Sequence, residues 1–123
     1  MSEPETLMIN EVKYIRADQP RLAAEVDGLK YCVLRTYSAG VHIGYLAEFG
    51  KKHPQHAKLL RSRRLHYWEG AASLSQVALD GVDPNKSRIA MELPEIELTD
   101  VIEVIPCSKL SADFFQKAAA WKK

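Results

Sequence analysis

The sequence predicts a single α+β domain, a mostly antiparallel, strongly curved sheet of about five or six strands carrying one or two short helices. Three observations lead there. The chain has 123 residues, enough for one modest core and too few for two. Its 46% hydrophobic and 27% charged residues are those of an ordinary folded domain, with no internal repeat or low-complexity tract. The apolar runs are short and strand-like, and only two segments carry helix signals.

Taken in order, residues 1–6 read as a frayed start, and "LMINEVKYIRA" alternates Val12 and Tyr14 with Lys13 and Arg16 as a short edge strand does. The polar "DQPRLAAEVDG", punctuated by Pro20 and Gly28, has room for one helical turn. Next, "YCVLRTYS" and "VHIGYLAEF" flank Ala39 and Gly40 as a β-hairpin. Its register has two readings. If Ser38 pairs with Val41, then Cys32, Leu34, Thr36, Ile43 and Tyr45 share the core face, and Arg35, Tyr37, His42 and Glu48 share the other. A three-residue turn with Gly40 left-handed would slip the register and put Arg35 on the apolar face. Turn chemistry favours the slip and the hydrophobic pattern favours the first register, which is the one adopted.

A third strand, "AKLLRSRRLHYW", surrounds its Arg residues with Leu59, Leu60, Leu65, Tyr67 and Trp68; alternation sends Arg61 and Arg63 one way and Arg64 the other. The helix "SLSQVALDG" opens with Ser73 and Gln76 at capping-box spacing, buries Leu74, Val77 and Ala78, and stops at Gly81. "RIAMELPEIELTD" and "VIEVIPC" read as two more strands, with Pro94 at an edge or bulge and Pro106 at an end. A terminal helix in "LSADFFQKAAAWKK" would dock through Leu110, Phe114 and Phe115.

Charge is unevenly distributed although the net value is only +1. Lys51 to Trp68 holds six cations, three His and no acid, whereas Glu92 to Glu103 holds five acids and no base. The two segments are complementary, within one subunit or between copies. No run is long and apolar enough for a membrane helix, and "MSEPET" lacks the basic start and apolar core of a signal peptide, so a cytoplasmic protein with no membrane partner is expected. Cys32 and Cys107 lie in separate apolar segments and read as buried free thiols.

No phosphate loop, dinucleotide fingerprint, zinc-protease motif or nucleophile elbow occurs, so no enzymatic activity and no cofactor are expected. His53 and His56 have metal-pair spacing, but Pro54 and the flanking Lys residues place them in a solvated loop rather than on a helix. Two features suit anion binding instead. Gly70, Ala71 and Ala72, followed by Ser73, leave the backbone N–H groups before a helix uncovered, directly after the Arg-rich strand with Arg63, Arg64 and Trp68. Arg35, Tyr37 and His42, on one hairpin face, add donors, an aromatic surface and a group titrating near neutrality.

The segments "VLRTYSAGVHIGYL", "RRLHYWEGAASLSQVALDGV", "PEIELTDVIEVIPC" and "AAAWKK" resemble, in the same order, a family of small phage and prophage proteins with a domain of unknown function. The resemblance runs from about Met8 to Lys122, with departures at Arg61, Ser62, Leu65 and His66 that spare Arg63, Arg64, Tyr67 and Trp68. It implies a viral or prophage origin and transfers no active site. The leading expectation is an accessory protein in the bacterial host's cytoplasm that binds a host protein or a small anionic ligand such as a nucleotide, inhibiting a host defence. Two others stand beside it: a homo-oligomeric structural or assembly protein of the virion, joined head to tail through its basic and acidic segments, and a single-stranded nucleic-acid binder stacking bases on Tyr67 and Trp68.

Overall fold

The computed structural model describes residues 21–121 in full and, before them, the backbone of two strands. These are β1 (Thr6–Ile9) and β2 (Val12–Ile15), an antiparallel pair with Ile9 opposite Val12, so the segment expected to be one edge strand is two. The frayed start expected over residues 1–6 lies outside the described residues except for Thr6, which opens β1. The expected helical turn is absent from 21–28, where Val26 and Leu29 instead close a tight turn on Asp27 and Gly28, both with left-handed φ; its first three residues lie outside the described part.

The main sheet is six-stranded, antiparallel and open. It consists of β3 (Lys30–Thr36), β4 (Val41–Phe49), β5 (Ala57–Tyr67), β6 (Arg88–Ile89), β7 (Leu93–Leu98) and β8 (Val101–Pro106), in the order β6-β5-β4-β3-β8, with β7 also on β5. The long β5 carries β7 along Ala57–Ser62 and β6 beside Leu65 and Tyr67. Helix α1 (Leu74–Asp80) leads into β6, and α2 (Lys109–Lys117) follows β8.

One short connection shows how strongly the sheet curves. β7 and β8 lie at opposite edges, four strand spacings apart, roughly 19 Å in a flat sheet. Only Thr99 and Asp100 join them, and three residue steps reach at most about 11 Å. A flat sheet is therefore excluded. The chain closes diagonally, with the Val101 N–H donating to Gln55 O at 3.0 Å and the Tyr37 N–H to Asp100 O at 2.9 Å. Bulges supply the bend. The main one sets Gly44 opposite Arg61 and Ser62, where Arg61 has φ 52. Gly44 is required there, because a Cβ would meet Leu60 O at 2.9 Å and Ser62 Cα at 3.0 Å.

Both faces of this sheet are buried. The helical face packs Tyr31, Val33, Ile43, Tyr45 and Leu65 against Val77, Ala78, Ala112 and Phe115. The opposite face gathers Cys32, Leu34, Ala57, Leu59, Leu98 and Val101 from both edges of the sheet. Helix α1 has the expected caps: Ser73 Oγ accepts from the Gln76 N–H, the Gln76 side chain accepts from the Ala72 N–H, and Gly81 ends it with φ 81. Helix α2 docks through Ala112 and Phe115, with Phe114 partly buried; Leu110, expected in the dock, is exposed.

The hairpin register differs from both sequence readings. Arg35 pairs with Val41, Leu34 with His42 and Val33 with Ile43, three places from the adopted register. Thr36 sets the turn: its hydroxyl donates to Gly40 O at 2.7 Å and accepts from the Ala39 N–H at 2.8 Å, while Gly40 takes φ 86. The hydrophobic pattern misleads because β3 is buried on both faces, so alternation carries no inside-outside signal and turn chemistry decides.

Candidate functional site

The register scatters the expected hairpin site. Cys32 and Leu34 face away from the helices, whereas Ile43 and Tyr45 face toward them. Tyr37 stands in the turn, 83% exposed. Arg35 shares the Val33 and Val41 face at its rim, 3.7 Å from Glu103. His42, expected beside them on an open face, is 1% exposed and paired with Leu34 on the opposite face.

The Arg-rich strand separates its cations by face. Arg63 is 4% exposed on the helical side and acts as a structural clamp. Its Nε donates to Ala90 O at 2.8 Å, and its Nη1 donates to Phe115 O at 2.7 Å and Ala118 O at 2.6 Å, the carbonyls that end α2. A cation at a helix C-terminus interacts favourably with both the free carbonyls and the helix dipole. Arg61 also turns to that side, 5.9 Å from the Tyr45 ring, and pairs with Glu92 at 3.4 Å. Arg64 takes the other side, as alternation predicts.

The expected anion cradle before α1 is already satisfied within the chain. Ala72 and Gln76 N–H groups donate to the capping pair, and α1 has only 7 residues. Gly70, with φ 91, serves close packing, since a Cβ would lie 2.8 Å from Asp83 N. Trp68 and Ala71 are partly buried against the helical core, so neither Trp68 nor this turn joins His42 and Arg64.

His42 and Arg64 do meet, as a cross-strand pair of β4 and β5. With Ser62 and His66 they line one wall of a pocket of about 180 Å³, whose other wall is Ala90, Met91, Leu93 and Ile96. Ser62, Arg64 and His66 stand at alternate positions of β5 and so share this wall. Ser62 is 1% exposed, and its hydroxyl has no hydrogen-bond partner among the described residues. A buried hydroxyl without a partner is costly, and native structures retain few of them. His42 Nε2 lies 2.9 Å from Ala39 O, to which it donates, and burial above all pushes its pKa below the usual imidazole value. It is therefore neutral near pH 7. Arg64 has no carboxylate partner among the described residues, and none of the pocket's lining residues is acidic. Sequence reasoning found His42 and Arg64 and missed Ser62 and His66; the signal available was their spacing two residues either side of Arg64 on one strand, which alternation puts on the same face.

The basic and acidic segments meet inside the subunit. Lys52 reaches Glu97 at 2.8 Å, Lys58 reaches Glu95 at 3.7 Å and Arg61 reaches Glu92 at 3.4 Å, all across the β5–β7 side of the sheet. That pairing removes the charge-based motive for a head-to-tail ring and weakens the one for a phosphate-tracking strand. His56, expected in a solvated loop, is 1% exposed with Nε2 2.9 Å from Glu97. Cys32 and Cys107 are buried free thiols, as expected. No helix among the described residues is long and apolar enough to cross a membrane.

No curated protein and no solved structure matches the chain. Its central part does match a family: residues 29–115, which include both walls of the pocket, fit the model of a domain of unknown function, DUF6948. The chain belongs to the DUF6948 family.

Proposed function

We propose that this is a non-enzymatic binding protein that captures a small anionic molecule in the pocket between β4–β5 and the β6–β7 segment. In this reading it is a phage or prophage accessory protein of the bacterial host's cytoplasm, blunting a host defence by removing such a molecule. The observation that carries the reading is the buried, unpartnered Ser62 hydroxyl in a recess where Arg64 supplies a cation without a carboxylate. A recess of this kind suits a small molecule better than the flat, exposed surface a host protein would need.

Calorimetric titration of the full chain with phosphate, sulfate and short carboxylates tests it. Saturable binding is expected, weakened about tenfold or more by Arg64→Ala, since a charge-assisted hydrogen bond contributes about 1.5–3 kcal/mol. Tyr37→Ala should leave it unchanged. No saturable heat with any member of the panel would overturn the proposal.

A further inference from the structure

The chemistry of the two pocket walls narrows the ligand class. We infer, resting on the reading of this pocket as an anion site, that its ligand is a short α-hydroxy acid with an aliphatic chain. The walls differ: His42, Ser62 and Arg64 make one polar, while Met91, Leu93 and Ile96 make the other apolar. A ligand matching both has a charged end and a hydrocarbon end. Arg64 presents a planar fork of donors, which fits a carboxylate, and the Ser62 hydroxyl can donate to the same group.

The hydroxyl follows from His42. With its Nε2 proton given to Ala39 O, the neutral ring has only Nδ1 left, and Nδ1 is then an acceptor. A carboxylate cannot donate to it. A donor on the neighbouring carbon can, and that donor is a hydroxyl rather than an ammonium, because Arg64 is cationic and no acid lines the pocket.

Size sets the upper limit. At about 180 Å³ the recess is smaller than the roughly 300–1,000 Å³ of pockets for drug-sized ligands, which favours a short acid of a few carbons. A nucleotide, at roughly twenty or more heavy atoms, belongs to the larger class of pockets.

The test is a titration of the full chain with inorganic phosphate, isovalerate, α-hydroxyisovalerate and valine, followed by calorimetry and by amide NMR shifts of His42, Ser62 and Arg64. The hydroxy acid is expected to bind at least tenfold more tightly than isovalerate, valine or phosphate, with Arg64→Ala removing most of that affinity. Ser62→Ala should weaken the hydroxy acid as well; Arg64, being exposed, provides the variant whose folding is not in question. Equal affinity for isovalerate and the hydroxy acid, or tighter binding of valine or phosphate, overturns this inference while leaving the anion site standing. Absence of shifts at these amides with all four compounds overturns both.

Discussion

Arg63 and Arg64 are neighbours in sequence with opposite roles, and replacing each in turn separates them. Arg63 is nearly fully buried, and its guanidinium donates to Ala90 O, Phe115 O and Ala118 O at 2.6–2.8 Å. Arg63→Met keeps much of the apolar stem and removes all three donations. The Phe115 carbonyl is then left buried without this donor, while those of Ala90 and Ala118 are partly buried and can recruit water. An orphaned buried acceptor costs about 1–3 kcal/mol and each partly buried one less, and the favourable charge at the α2 C-terminus is lost too. The sum is about 3 kcal/mol, a fall in Tm of roughly 10 °C for a chain of this size. Arg63→Lys should fall between, because a single ammonium cannot span three carbonyls. Urea unfolding followed by circular dichroism gives the midpoint and the slope. Arg64→Ala, on the exposed side, should stay within about 0.5 kcal/mol. A loss below about 1 kcal/mol for Arg63→Met at unchanged slope would refute the clamp.

Three further outcomes are expected. Gly44→Ala should cost about 1–3 kcal/mol, because its Cβ meets the backbone of the facing bulge; chemical denaturation reads this, and a neutral effect would mean the bulge yields freely. Lys52, and after it His56, hold the Glu97 carboxyl at about 2 against an ordinary 4.5. The stabilisation this brings is present above about 4.5 and is lost as pH falls toward 2, so Glu97→Gln should flatten the acid limb of the stability profile in that window, and an unchanged limb would count against the pairing. Burial pushes the Cys32 thiol up to about 11 and the Cys107 thiol to about 12, so a thiol reagent at pH 8 should label neither until denaturant is added; labelling of the native protein would contradict the burial of both.

Local chemistry, read from sequence alone, determined the α+β class, most strands of the main sheet and the capped helix α1, because capping residues, turn residues and short apolar runs act within a few positions. It also paired His42 and Arg64 in one candidate site and put Arg61 and Arg63 opposite Arg64. Tertiary structure decided the rest. The register of the β3–β4 hairpin could not follow from alternation once both faces of β3 were covered, and Thr36, whose hydroxyl organises the turn, looks like any strand residue in sequence. Whether a cation is a ligand or a helix cap depends on where α2 ends, 52 residues after Arg63 at its Phe115 contact. Ser62 and His66 share the face of Arg64 by simple alternation along β5, but that this face is a recess rather than an open surface depends on Ala90, Met91, Leu93 and Ile96 covering it, which no local rule foretells. The separation of basic and acidic segments was plain in sequence, but its resolution within one subunit came from β7 pairing with β5, a long-range contact set by the diagonal closure of the sheet.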